Sequence, residues 1–321
     1  MNEPEPVPLV DQKELDSFVT EFRTKRKAIE KKYFVYVFLG LIILAASLTL
    51  LAVDFHLFSG EEDGSLFEIL GWVSGLSLLA SLFFLGKAIL IKESYVDSIK
   101  KEVGAQIEKT FFAKTPKAEA KGFTYDEFVA SGFFSEPEKY QDSDAYSASY
   151  SGINFQKAHF RLQHLSLLNS PHDSMKNYST YRIGTLYRFR FNKSFPFSLK
   201  VLFRNRRFGY VNDKTLTSIK TEYRAFNETF EASSNDAKGA FYLLTPQVQE
   251  KLIDLENLFY GAVSFSFSGD SFYVLLDDPD EKIKISFLRE ISADDIKKIF
   301  VLASLPKIVV DYLDLDSFKF Q

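Results

Sequence analysis

The chain has 321 residues, of which 46% are hydrophobic and 26% charged, with a formal net charge of -4. These figures exclude wholesale disorder and a collagen-like chain. Cysteine is absent, which rules out a disulfide framework, a thiolate metal site and a cysteine nucleophile and fits a reducing compartment. The mean hydropathy of -0.09 averages two very apolar segments with a polar remainder.

The first ten residues, MNEPEPVPLV, hold three prolines and read as a tail. Leu15, Phe18, Phe22 and Ile29 then fall on one stripe among charged residues, the pattern of an amphipathic helix. Residues 33–53 form 21 consecutive uncharged positions, and about 20 apolar residues cross the hydrocarbon core as a helix. A second apolar run covers 67–91, with Glu68 near its start and Lys87 near its end. The spacing predicts two transmembrane helices, since the first run is too long and too uniformly apolar for a signal peptide.

Arg23, Lys25, Arg26, Lys27, Lys31 and Lys32 precede the first span, and Lys92, Lys100 and Lys101 follow the second. The loop 54–66 has no lysine or arginine and carries Asp54, Glu61, Glu62 and Asp63. The positive-inside rule then places both termini in the cytoplasm. Tyr33 and Tyr36 suit the inner interface and Trp72 the outer one. Gly71 and Gly75 form a G-x-x-x-G pair that permits close helix packing, within the hairpin or between two copies of the chain. No charge lies mid-membrane, so a proton relay is not expected.

Val96, Ile99, Val103 and Ile107 continue a helical stripe, and 113–122 reads as a linker. The organisation expected is a tail and helix over 1–32, spans over 33–53 and 67–91, an acidic outer loop over 54–66, a helical stalk and linker over 92–122, and a cytoplasmic domain over 123–321. Within that domain Phe123 to Phe134 suggests a short helix. Residues 146–168 and 178–203 have β composition, and Tyr187, Phe189 and Phe191 alternate with Arg188 and Arg190 as in a strand with one solvated face. The segment 221–231 is ambiguous. Thr245-Pro246 marks a helix start. Val263, Phe265 and Phe267 alternate with serines, Gly269-Asp270 reads as a two-residue hairpin turn, and 272–276 as the returning strand. Ile283, Ile285 and Phe287 alternate again. Ser292 to Asp295 reads as a capping box before a helix that Pro306 breaks, with a last helical piece from Lys307 to Leu315. The fold class expected is α+β, with an N-terminal two-helix transmembrane hairpin and stalk followed by a domain of antiparallel hairpins.

Local signatures then stand out. They are Gly122-Phe123, Ser131-Gly132-Phe133-Phe134, Tyr150-Ser151-Gly152, the run from Thr185 through Phe-Asn-Lys-Ser-Phe to Phe195, Glu228-Thr229-Phe230-Glu231, and Ala240 through Leu-Thr-Pro to Pro246. With the preceding two-helix anchor, this chain resembles the bacterial family known as domain of unknown function 3137 over residues 15–316. Members often carry alanine-arginine-tyrosine where this chain reads Ala240-Phe241-Tyr242. The resemblance implies a bacterial inner-membrane location, a possible LemA-like membrane-protein partner, and no catalytic residues.

The strongest charge feature is the acid-free segment 182–207. It contains Arg182, Arg188, Arg190, Lys193, Lys200, Arg204, Arg206 and Arg207. Such a segment suits anionic lipid, phosphates or an acidic partner, or is the solvated face of a strand. The acidic overall balance argues against nucleic acid. His159, His164 and His172 are the candidates for a hydrolytic or metal site, although no H-E-x-x-H spacing occurs. The acidic stretch Asp277 to Glu281 lacks the spacing of a calcium loop. No phosphate-binding glycine loop or G-x-S-x-G is present. No catalytic residue, cofactor or metal ligand is therefore assigned. The expected function is a membrane-anchored cytoplasmic binding or scaffold module, with the bilayer and another membrane protein or a second copy as partners. The alternatives are a sensor of anionic lipid or phosphorylated ligand, and a membrane-tethered hydrolase.

Overall fold

The computed structural model describes residues 12–58, 64–114, 122–134, 136–166, 177–204, 214–259, 263–277 and 289–317. By internal contacts the chain divides into two units, 1–103 with 285–297, and 104–284 with 298–321.

The first unit is dominated by helix α1 (Gln12–Phe58) and most of α2 (Gly64–Phe111). The amphipathic stretches on either side of the apolar runs are continuous with them. Both helices are long and apolar enough to cross a membrane. Their apolar side chains face outward: Phe38 and Leu79 are each 65% exposed and Trp72 74%. A soluble core helix would bury such residues.

Small polar residues mediate the helix–helix contact in the apolar region. The Ser47 and Ser77 hydroxyls hydrogen-bond at 2.6 Å, and Ser47, Ser74 and Ser81 are fully buried. A Cβ at Gly40 would meet Leu85 Cγ at 2.9 Å, whereas open space surrounds Gly71 and Gly75. Serines on one face, rather than the G-x-x-x-G pair, therefore line the hairpin contact. Beyond the apolar region Phe18, Val19, Phe22, Tyr95, Ile99 and Val103 are buried. Tyr95 donates its hydroxyl to the Phe22 carbonyl at 3.0 Å, and Lys25 pairs with Glu102 at 2.5 Å. Within the second segment of this unit, Ser292 and Asp295 form the expected box. The Ser292 amide donates to Asp295 and the Asp295 amide to Ser292 Oγ, which starts α7 (Ala293–Ala303).

Among the described residues the second unit is a seven-stranded sheet with helices. Its strands are β1 (Ala113–Lys114), β2 (Lys139–Tyr150), β3 (Ile153–Leu165), β4 (Tyr178–Phe203), β5 (Thr217–Ile219), β6 (Phe230–Ser234) and β7 (Val263–Asp277). Its helices are α3 (Tyr125–Ala130), α4 (Arg224–Thr229), α5 (Ala237–Leu243), α6 (Pro246–Leu258) and α8 (Leu305–Leu313). All strand pairs are antiparallel, in the order β1-β2-β3-β4-β6-β5, with β7 on β4. The α+β class is thus found.

The β2–β3 turn is a two-residue hairpin. Ser151 and Gly152 both have positive φ, 50° and 78°, the conformation of a type I′ turn. Gly269-Asp270 behaves differently from expectation. Strand β7 runs unbroken through it, pairing its second half with Gly184–Arg190 and its first half with Ser198–Val201. β4 is irregular between Arg190 and Ser198, and Gly269 (φ 59°) lies opposite Phe195 at that point. The glycine accommodates a bulge there instead of a chain reversal.

In β7 the residues that alternate with the aromatics are buried as well. Ser264, Ser266 and Ser271 are buried beside Phe265, Phe267 and Phe272. One sheet face carries Ala158, Phe160, Leu162, Leu186, Tyr273 and Leu275, packed with Phe123, Phe128, Phe133 and Phe134. On the other face Phe155, Phe189 and Phe272 form a row across β3, β4 and β7. Phe226 of α4 packs on Phe230 there, and Gly239 of α5 comes against Phe197. Small hydroxyl residues suit positions between two covered faces, because each can hydrogen-bond locally. Ser264 Oγ, for example, accepts from the Phe203 amide at 3.1 Å.

Other elements match their local signals. The Thr245 hydroxyl accepts from the Val248 amide and Pro246 opens α6. The ambiguous 221–231 resolves into α4 followed by β6. Pro306 lies in the first turn of α8, where a missing N–H costs nothing. The run 283–287, the acidic positions 278–281 and most of the linker 113–122 lie outside the described residues, although Ala113 and Lys114 pair with β2.

Candidate functional site

Three strands and one short helix build a polar cavity in the second unit. It has a volume of about 430 Å³ and is lined by Gly122, Thr124, Glu127, Ser147, Ala148, Asn154, Phe155, Gln156, Arg188 and Arg190. Strand register explains the convergence. Ser147, Gln156 and Arg188 stand opposite one another across β2, β3 and β4, and Asn154 faces Arg190 in the next row. Arg188 and Arg190 are two apart, so both project to the sheet face that α3 covers. That helix is fixed by a capping box: Thr124 Oγ1 accepts from the Glu127 amide, and the Glu127 carboxylate accepts from the Thr124 amide. Gln156 Nε2 donates to the Gly122 carbonyl at 3.0 Å, holding the chain just before the cap. Gly122 is hard against Asp142, for a Cβ there would stand 1.4 Å from Asp142 Oδ2.

Glu127 is the electrostatic centre of the cavity. Arg188 Nη1 donates to Glu127 Oε1 at 2.9 Å, and Arg190 Nη2 lies 3.9 Å from the same oxygen. Oε2 takes the Thr124 amide at 3.0 Å. Burial pushes the Glu127 carboxyl up, but the Thr124 amide and the Arg188 guanidinium outweigh it and hold the group below its usual range. Arg188 is also tied from behind, where Nε donates to Ser271 Oγ at 3.2 Å and Ser271 donates to Asp270. Its side chain is 11% exposed, whereas that of Arg190 is 54% exposed. One guanidinium is thus fixed and the other open to solvent. Outside the cavity lining, against Phe128 of α3, the Tyr140 hydroxyl is buried with no hydrogen-bond partner, the two rings 4.5 Å apart, and burial raises its pKa. The arrangement can bind an anionic group through charge-assisted hydrogen bonds.

The remaining residues of the basic segment go elsewhere. Arg182 Nε lies 2.9 Å from Asp277 Oδ1, with the guanidinium over the Phe134 ring. Lys193 is exposed between the rings of Phe195 and Tyr242. Lys200 is 5% exposed, its side chain against Gly132. Arg204 Nε donates to the Phe230 carbonyl. Arg206 and Arg207 lie outside the described residues. The structure therefore brings together Arg188 and Arg190 and sends Arg182, Lys193, Lys200 and Arg204 elsewhere. Thr124, Glu127, Asn154 and Gln156 carried no functional signal in the sequence, although Thr124-x-x-Glu127 is a readable capping box.

His159 lies with Nδ1 3.3 Å from Thr185 Oγ1, and exposed His164 sits with its ring 5.5 Å from Tyr181. Five residues of strand separate them by about 17 Å, on opposite faces. His172 lies outside the described residues. Among the described residues no three histidine, aspartate or glutamate side chains gather to hold a metal ion.

Residues 183–315 match the model of the family described as "Protein of unknown function (DUF3137)", the family that the local signatures resemble. The match starts in β4 and leaves the two apolar helices and α3 outside it. No curated protein matches. A solved structure, the crystal structure of the mycobacterial trehalose monomycolate transport factor A, TtfA, is similar at 5% identity and a TM-score of 0.32, over 64% of this chain and 95% of that chain.

Proposed function

We propose that this chain is a membrane-anchored binding module that takes an anionic group into the cavity at Arg188 and Arg190. The observation that carries this reading is the convergence of both guanidiniums, with Asn154, Gln156, Ser147 and Thr124, on one polar cavity. Guanidinium forks suit oxyanions because they present paired donors in a plane. The anchor is the α1–α2 hairpin, placed in a bacterial inner membrane with both termini cytoplasmic. Its support is the exposed apolar surface and the distribution of lysine and arginine on either side. Scaffolding of another membrane protein, LemA-like or a second copy, fits the same anchored arrangement.

Two experiments test this. Protease added outside intact cells leaves residues 92–321 uncut, and their digestion would refute the orientation. Sulfate added to the full chain in neutral-lipid nanodiscs raises the unfolding temperature, and Arg190→Ala removes the increment. No sulfate effect on the unsubstituted chain would end the reading.

A further inference from the structure

Glu127 occupies the point that both arginines address. Arg188 donates to Oε1 at 2.9 Å, Arg190 stands 3.9 Å from that oxygen, and the Thr124 amide holds Oε2. A carboxylate of the chain itself therefore already sits where a ligand anion would be read. We propose that Glu127 is a built-in competitor that sets a threshold for binding, weakening every incoming anion alike, so that a phosphate monoester still fills the cavity while the weaker carboxylate does not. This rests on the anionic reading of the cavity above.

The threshold follows from what an incoming group must replace. A ligand carboxylate offers one charge and two acceptor oxygens, which only reproduces what Glu127 gives. It also loses the advantage of tethering, since Glu127 is held by its own helix at high effective concentration. A phosphate monoester carries close to two charges at neutral pH and three strong acceptor oxygens. It can engage the fixed Arg188 fork and the open Arg190 fork together, while Asn154, Gln156 and Ser147 line the rest of the cavity. No covalent step is involved. On binding, Glu127 gives up Arg188 and keeps the Thr124 amide, so α3 retains its cap. The phosphate can come from a lipid headgroup or from a soluble ligand, and the chemistry of recognition is the same for both.

The test uses the full chain in phosphatidylcholine nanodiscs with inorganic phosphate and acetate as calorimetric probes. Glu127→Gln keeps a side-chain acceptor for the Thr124 amide and removes the competing charge. The expected results are tighter phosphate binding by about tenfold in this variant, given unit charges only a few ångströms apart, and acetate binding only in the variant. Arg190→Ala, at an exposed position, abolishes phosphate binding in both backgrounds. Equal phosphate affinity with and without Glu127→Gln would overturn the competitor role while leaving the anion cavity standing. Equal binding of phosphate and acetate by the unsubstituted chain would overturn the threshold. Failure of both forms to bind phosphate would overturn this proposal and the cavity reading together. Discs containing phosphatidic acid separate the sources: loss of free-phosphate binding in them assigns the lipid headgroup, and unchanged binding assigns a soluble ligand.

Discussion

Phe128 is the residue through which α3 is fixed to the sheet. It is 1% exposed, with its ring 5.0 Å from Phe160, 5.7 Å from Phe134 and 4.5 Å from Tyr140. Truncation to alanine deletes the ring but leaves the cap residues Thr124 and Glu127 in place. Loss of a buried phenylalanine costs roughly 3–5 kcal/mol, a transfer term plus the cavity left behind. The surrounding rings are anchored to separate strands and to the chain after α3, so collapse is limited and the upper part of that range applies. At about 2–4 °C per kcal/mol for a unit of this size, about 4–5 kcal/mol lowers the midpoint by about 8–20 °C. Differential scanning calorimetry of the full chain in detergent measures it. Phe241→Ala is the control, since that side chain is 48% exposed and surface changes stay within about 0.5 kcal/mol. A Phe128→Ala midpoint within 2 °C of the control would show that α3 is not an integral part of the core and would refute the reasoning.

The absence of cysteine makes the helix hairpin directly testable: Ser47→Cys with Ser77→Cys, whose hydroxyls are in contact, crosslinks under mild oxidant, and failure to do so rejects the register of α1 against α2. Acid stability depends on Glu127 and Asp295: burial raises both carboxyls, but the hydrogen bonds from Thr124 and Ser292, with Arg188 and Arg289 beside them, outweigh it and hold both below their usual range. Because the folded pKa is depressed, the stabilisation is complete above the ordinary carboxylate pKa of about 4 and is lost as pH falls through the lower folded value. Glu127→Gln therefore flattens the acid limb of a stability–pH curve, and an unchanged limb contradicts the assignment. Gly269→Ala costs about 1–2 kcal/mol for the positive φ alone, since open space surrounds the position, and a neutral effect in a denaturant titration would remove the bulge from the argument.

Features specified by neighbouring residues were readable in advance. Thr245-Pro246 starts a helix because cap and first-turn preferences act within four residues, and the Ser292 box works the same way. The two apolar helices were readable from length and charge exclusion. Gly269-Asp270 was not, because its turn propensity is overridden by pairing with a bent β4 about 75 residues earlier in the chain. The burial of the β7 serines was not readable, because alternation cannot tell water from a second covered face. The basic segment misled in a related way. Arg182, Arg188 and Lys200 are largely buried within the fold. Which charges stay accessible depends on Asp277, Glu127 and the glycine at 132, all of them outside the segment. Only tertiary register brings Asn154 and Gln156 to Arg190 and Arg188.

The most direct test is an anomalous-scattering map from crystals of the full chain grown with molybdate, a tetrahedral oxyanion that stands in for phosphate. The account predicts a peak within hydrogen-bond distance of both Arg188 and Arg190, with the Glu127 carboxylate moved off Arg188. A cavity without a peak, in crystals that bind molybdate elsewhere, would contradict it.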